Sequence, residues 1–148
     1  MRATDPGEHR TTSEEQTRAL GRELAGSASP GSTLLLFGEL GTGKTCLAKG
    51  IAAGLGIDPR RVHSPSFIMV NRHRGRLALN HVDLYRLEAG ENFSDLGLEE
   101  LFDGDGVTVV EWADRLPEAA RPVPRREIHL AYAGDEARLI RVVEINGP

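Results

Sequence analysis

Blocks of apolar positions alternate with polar ones along the chain, and their spacing predicts strands mixed with helices. Residues 33–37, TLLLF, are apolar almost throughout, as in strands that are buried on both faces. Residues 107–112, VTVVEW, predict another buried strand that ends in a carboxylate. A helix is predicted shortly after the first run, because apolar residues recur at helical spacing until Gly56 ends the pattern. These residues are Leu47, Ala48, Ile51, Ala52 and Leu55.

More polar segments predict further helices. Residues 11–26 predict a helix with Thr12 as its cap and Glu15 completing a capping box. Residues 1–10 are polar, and we expect them to be loosely held. Residues 88–102 predict one or two short helices within loops.

Two hairpins complete the predicted fold. Residues 66–85 predict two strands around a turn near Gly75, and residues 126–145 predict a final hairpin that turns near Gly134. The length of 148 residues suits one domain. The sequence therefore predicts a single α/β domain over residues 1–148. We expect a three-layer sandwich with a central sheet that mixes parallel and antiparallel strands.

The segment GELGTGKT, residues 38–45, is called the glycine loop below. It fits the pattern G-x-x-x-x-G-K-[ST], so we expect the sandwich to be like that of the P-loop NTPases. Its glycines let successive N–H groups point inward, and the helix behind it presents unpaired N–H groups to a bound phosphate. Lys44 would place a compact charge on the outer phosphates, and Thr45 would offer a hydroxyl to Mg²⁺. The residues predicted here to contact the nucleotide are Gly38, Glu39, Leu40, Gly41, Thr42, Gly43, Lys44, Thr45 and Cys46.

Adenine is the favoured base, because the N-K-x-D motif that reads guanine is absent: the other lysine, Lys49, follows an alanine. Hydrolysis would also need a carboxylate near Mg²⁺ and a group that positions water. Asp83 and Glu111 each stand at the end of a predicted strand and are the candidates, although either could be a surface acid or a cap. Ser66, in the segment HSPSF, could belong to a loop that closes on the γ-phosphate.

Charge and composition narrow the function classes. The formal net charge of −4 argues against a protein that grips nucleic acid over its whole surface, so any such contact would be local or made through a partner. The sequence shows no apolar run of membrane-spanning length and no signal-peptide pattern near its start. Its single cysteine cannot form an internal disulfide. We expect a cytoplasmic protein without membrane or DNA contacts.

Taken together, the motifs resemble one family, TsaE, the small bacterial ATPases of the pathway that makes threonylcarbamoyladenosine on tRNA. The resemblance covers roughly residues 11–117 and rests on five stretches in order. They are TTSEEQTRALGRELA, LFGELGTGKT, HSPSF, NHVDLYRL and VVEWADRLP.

The resemblance implies roles for particular residues. Lys44 and Thr45 would hold phosphates and Mg²⁺, with Ser66 near the metal. Glu111 would be the metal-linked acid, and Asp83 would orient water. Trp112 would lie close to the nucleotide, and Thr12 would border the adenine.

The resemblance also implies partners. The chain would hydrolyse ATP weakly with Mg²⁺ and would bind the TsaB–TsaD pair, with direct contact to TsaD, resetting that complex between turnovers. It would meet tRNA indirectly or by local contact. Two alternatives stay open: a small-molecule kinase that uses the same loop, and a nucleotide-gated binding module that barely hydrolyses ATP.

Overall fold

A seven-stranded sheet organises the molecule, with the strand order β1-β7-β6-β2-β5-β4-β3. The structure is a computed structural model that describes residues 6–39, 41–63, 70–85 and 97–147. The strands are β1 (Gly7–Thr11), β2 (Thr33–Phe37), β3 (Val70–His73), β4 (Leu79–Asp83), β5 (Val107–Glu111), β6 (Arg125–Tyr132) and β7 (Arg138–Ile145). The α-helices are α1 (Glu14–Gly26), α2 (Lys44–Gly54) and α3 (Leu98–Phe102), with 3₁₀ turns at Pro59–Arg61, Ala113–Arg115 and Glu118–Ala120.

The centre of the sheet is parallel and its flanks are antiparallel. Strand β2 runs parallel to both β5 and β6, and β4 runs parallel to β5. Strand β3 pairs antiparallel with β4, β7 with β6, and β1 with β7. This arrangement confirms the predicted mixed sheet. The carboxyl ends of β2, β4, β5 and β6 therefore share one edge, where ligands of α/β proteins usually bind.

Apolar side chains pack on both faces of the sheet. Helices α1 and α2 cover one face, with Leu24, Leu47 and Ile51 fully buried between them and the strands. The other face carries a smaller cluster that includes Val110, from β5, and Leu98, from α3. The sheet and its two coverings make the three layers that the sequence predicts.

Helices α1 and α2 approach each other unusually closely because glycines lie at the contact. A Cβ atom added to Gly50 would lie 2.1 Å from the carbonyl oxygen of Arg18. One added to Gly21 would lie 2.5 Å from the carbonyl oxygen of Leu47. Real Cβ atoms do not make such contacts, so this packing requires glycine.

The N-terminal segment differs from the prediction. Gly7–Thr11 forms β1 and pairs with β7, although residues 1–10 were expected to be loose and Thr11 to begin the helix. The cap of α1 is Ser13 rather than Thr12, since the Ser13 hydroxyl accepts a hydrogen bond from the Gln16 N–H at 3.1 Å. Glu15 does not complete the capping box; the Gln16 side chain instead accepts from the Thr12 N–H at 2.7 Å. In the described ranges, no helix has the length and hydropathy needed to cross a bilayer.

Candidate functional site

The glycine loop connects the end of β2 to the start of α2, at the carboxyl edge of the parallel strands. Gly41 and Gly43 have φ angles of 82° and 102°, which L side chains rarely adopt. Space is also limiting: a Cβ on Gly38 would lie 2.6 Å from the Thr42 hydroxyl, and one on Gly41 would lie 2.7 Å from the Tyr132 hydroxyl. The loop thus offers a backbone surface that side chains would obstruct. Its second variable position, Leu40, lies outside the described residues.

Lys44 closes the loop from the first turn of α2. Its ammonium donates to the carbonyl oxygens of Gly38 at 2.5 Å and Glu39 at 2.9 Å. It also lies 3.9 Å from the centre of the Trp112 ring, a cation–π contact. Burial lowers the pKa of Lys44, and the nearby carboxylates of Glu111, Asp114 and Asp83 act in the opposite direction. The Lys44 side chain thus ends at the base of the loop, where it could meet an anion.

Glu111 links the loop to the sheet. Its Oε1 accepts a hydrogen bond from the Thr45 hydroxyl at 2.8 Å, and its Oε2 contacts Nε2 of His81. Glu111 and His81 are both buried, at 2% and 0% exposure. Both oxygens of the carboxylate are therefore held by protein groups on opposite sides, which fixes its direction toward the first turn of α2.

Asp83 lies beside Glu111 because the parallel pairing of β4 and β5 places these two residues opposite each other. Its Oδ1 accepts from the Tyr85 N–H at 2.8 Å, and the residue is 7% exposed. The structure thus brings the two predicted acids, Asp83 and Glu111, together with Lys44 and Thr45. The sequence alone could not show that these residues are close, because the two acids belong to different strands.

Aromatic rings form one wall of the site. The Tyr85 and Trp112 rings pack with centroids 5.0 Å apart. Trp112 adopts a left-handed backbone conformation, with a φ angle of 57°, which costs a non-glycine residue about 1–2 kcal/mol. The packing of its ring against Tyr85 and Lys44 offsets that cost. Trp112 therefore lies in the site beside the loop lysine rather than only in the core.

The start of α1 lies against the start of α2. The Cys46 thiol donates to the Glu14 carbonyl oxygen at 3.3 Å, and burial raises the pKa of this thiol. A Cβ on Gly43 would touch Thr17 at 3.8 Å. The Thr12 hydroxyl donates to the Gln16 side chain at 2.9 Å, just before the helix. The N-terminal helix thus borders the glycine loop, while contact of Thr12 or Cys46 with a nucleotide stays a prediction.

The residues present fit both a phosphate chain and Mg²⁺. The loop has a glycine-lined backbone and a lysine at its base, as phosphate binding requires. Thr45 and Glu111 together offer a hydroxyl and a carboxylate, the oxygen ligands that Mg²⁺ prefers. Ser66, the third predicted metal residue, lies outside the described residues.

Some residues of this site did not emerge as site residues from the sequence. No ligand spacing marks His81 in the sequence, because it is a lone histidine on a strand, yet it contacts Glu111. Asp114 lies three residues after Glu111, and the charge of its carboxylate acts to raise the pKa of Lys44. No sequence pattern marks it as a site residue. Arg138 donates to the loop carbonyls of Gly41 and Thr42 from a strand 96 residues away in sequence. Only the fold could reveal that last contact.

Comparison with known proteins identifies the family. A family model described as "Threonylcarbamoyl adenosine biosynthesis protein TsaE" matches residues 11–140, most of the chain. The chain belongs to the TsaE family. It is 46% identical over 132 residues to the tRNA threonylcarbamoyladenosine biosynthesis protein TsaE of Bacillus subtilis, covering 88% of this chain and 81% of that protein.

Other relatives and a solved structure agree with this TsaE assignment. The TsaE protein of Streptomyces coelicolor is 38% identical over 135 residues, covering 88% of this chain and 89% of its own. The crystal structure of YdiB from Bacillus subtilis superposes with a TM-score of 0.80 at 38% identity, covering 97% of this chain and 87% of that one. The resemblance stated from the motifs and the predicted fold class are both confirmed. The chain is a TsaE-family protein of tRNA threonylcarbamoyladenosine biosynthesis.

Proposed function

We propose that this TsaE-family chain is a Mg²⁺-dependent ATPase that converts ATP to ADP and phosphate slowly by itself and faster with its partners. The observation that supports this most strongly is the cluster at the base of the glycine loop. There Lys44 lies near three carboxylates, and one of them, that of Glu111, also accepts a hydrogen bond from the Thr45 hydroxyl. Such a cluster combines the positive charge, the metal-binding oxygens and the acids that phosphoryl transfer uses.

Each residue has a distinct part in this proposal. The glycine loop and Lys44 bind and orient the phosphates. Thr45 and Glu111 would hold Mg²⁺, which supplies positive charge to the phosphate oxygens when it is bound. Asp83, opposite Glu111 in the sheet register, would orient the attacking water by accepting its hydrogen bond.

The partner of this activity is proposed to be the TsaB–TsaD complex. Within tRNA threonylcarbamoyladenosine biosynthesis, ATP hydrolysis by this chain would reset TsaB–TsaD between turnovers through direct contact with TsaD. Contact with tRNA would be local or indirect, in keeping with the net charge of −4. A low intrinsic rate is expected, because partners commonly complete the active sites of such enzymes.

A phosphate-release assay tests the proposal. The purified chain is incubated with ATP and Mg²⁺, with and without TsaB–TsaD, alongside the Lys44→Ala variant and, as a matched control on the same helix, the Lys49→Ala variant. We expect release that rises with the partners and is lost only in Lys44→Ala. Transfer of phosphate to an added metabolite without a partner effect would indicate a kinase instead. Tight ATP binding without turnover in any condition would indicate a binding module.

Contact with TsaD has a separate test. A pull-down of TsaB and TsaD by the immobilised chain is carried out with ATP and with ADP. We expect capture that depends on which nucleotide is present. Equal absence of capture in both conditions would contradict the partner assignment while leaving the ATPase proposal to the first assay.

A further inference from the structure

We propose that Arg138, on β7, is a positioning residue that holds the glycine loop in its phosphate-binding shape. Its Nε donates to the carbonyl oxygen of Thr42 at 3.0 Å, and its Nη2 donates to that of Gly41 at 3.2 Å. One guanidinium thus grips two successive carbonyl groups of the loop. Nothing in the local sequence links these residues, which meet only because β6 alone separates β7 from β2 in the sheet.

Gripping these two carbonyls sets the direction of the neighbouring N–H groups. In a planar trans peptide the C=O of one residue and the N–H of the next point to opposite sides. Holding the Thr42 oxygen toward β7 therefore turns the N–H group of Gly43 away from β7, while the Thr42 N–H donates to the Glu39 carbonyl oxygen at 3.2 Å and closes the turn before it. Inward-pointing N–H groups are what makes such a loop bind an anion.

Arg138 is itself held in place before it meets the loop. The register of the final hairpin pairs it with Tyr132, and its guanidinium lies 4.9 Å from the centre of that ring. Its Nη1 donates to the carbonyl oxygens of Ala137 at 2.8 Å and Asp135 at 3.1 Å, in the hairpin turn. The side chain therefore has little freedom left to lose when it contacts the loop.

The same ring limits the loop from the other side. The Tyr132 hydroxyl lies only 2.7 Å from the point that a Cβ atom on Gly41 would occupy. The arginine and the tyrosine thus act on the same peptide unit, one through its oxygen and one through its Cα. We call these two side chains, Arg138 and Tyr132, the hairpin brace.

The hairpin brace should act on binding more than on the chemical step. A loop that is already shaped binds phosphate groups without an ordering cost, and this applies equally to ATP and ADP. Loss of such uniform binding raises the Michaelis constant and leaves the turnover number largely unchanged. This inference rests on the proposed function, since it takes the bound anion to be the phosphate chain of a nucleotide.

The test compares Arg138→Met and Arg138→Lys with Arg141→Met, a control on the same strand whose side chain is exposed. Dissociation constants for ATP and ADP are measured by calorimetry, and turnover by phosphate release. We expect Arg138→Met to weaken both nucleotides about tenfold, as loss of a charged hydrogen bond would, with turnover changed less than about threefold. Arg138→Lys should recover part of the affinity, because an ammonium cannot span two carbonyls as a guanidinium does. Arg141→Met should match the unmodified chain.

Several outcomes would overturn the inference. Unchanged affinity in Arg138→Met, or a loss confined to turnover, would show that the loop needs no brace. If Arg138→Met does not fold, as judged by thermal unfolding, Arg138→Lys carries the test, and affinity equal to that of the unmodified chain would count against the brace. If the unmodified chain binds neither ATP nor ADP, the proposed function fails first, and hydrogen exchange of the Thr42 and Gly43 amides then decides the inference: exchange that is no faster in either Arg138 variant would refute it.

Discussion

The contact between α1 and α2 makes a sharp prediction for the substitution Gly50→Ala. The added methyl group would lie 2.1 Å from the carbonyl oxygen of Arg18, more than 1 Å short of an ordinary carbon–oxygen contact of about 3.3 Å. The obstacle is the backbone of α1 at Arg18, so no side chain can rotate to relieve the clash. The helices must therefore separate by about 1 Å, which loosens Leu24, Leu47 and Ile51, all fully buried at this contact.

The size of the effect follows from two opposing contributions. Overpacking of a core costs about 1–3 kcal/mol, and a backbone obstacle puts Gly50→Ala at the upper end of that range. Alanine returns about 1 kcal/mol, because glycine is a poor helix former. The net loss should be about 2 kcal/mol of unfolding free energy, or roughly 4–8 °C in melting temperature for a domain of this size.

Thermal and urea unfolding, followed by circular dichroism, measure this loss. The matched control is Gly26→Ala at the end of α1, where an added Cβ meets nothing within 4 Å. We expect that control to be neutral or stabilised by up to about 1 kcal/mol. The reasoning is refuted if Gly50→Ala unfolds at the same temperature as the control, since steric exclusion would then have no part in the helix contact.

Three further predictions concern the site. Lys44→Ala should abolish productive ATP binding measured by calorimetry, whereas Lys49→Ala should bind as the unmodified chain does; equal binding by both would remove the role of the loop lysine. Glu111→Ala and Asp83→Ala should keep nucleotide binding but lose hydrolysis by at least about a hundredfold, because each removes a group proposed to act on Mg²⁺ or water; normal phosphate release by either variant would end its catalytic assignment. Thr45→Val should raise the Mg²⁺ concentration needed for half-maximal hydrolysis, and an unchanged Mg²⁺ titration would exclude its hydroxyl as a ligand.

Much of the fold could be predicted because its signals are local. The apolar run of β2, the helical spacing in α2 and the glycine pattern between them each depend on a few neighbouring residues. The carboxylates at the ends of β4 and β5 were also visible, since a polar residue that ends an apolar run stands out. Parallel pairing then brings these strand ends together without further information.

The parts that the sequence did not reveal depend on long-range pairing. Strand β1 is polar and short, and its stability comes from pairing with β7 at the other end of the chain. The contact of Arg138 with the glycine loop, and that of His81 with Glu111, need the order of the strands before they can be foreseen. The prediction that Thr12 caps α1 was wrong because Thr12 and Ser13 both carry a hydroxyl that can cap a helix. Ser13 is the cap because of where β1 ends.

The position of Trp112 has a practical consequence for all these experiments. The chain contains one tryptophan, and its indole ring lies 3.9 Å from the ammonium of Lys44. Indole emission responds to nearby charge, so an event that shifts this ammonium or brings phosphates beside it should change the intrinsic fluorescence. The molecule thus carries an unlabelled optical probe at the point where its proposed substrate would arrive.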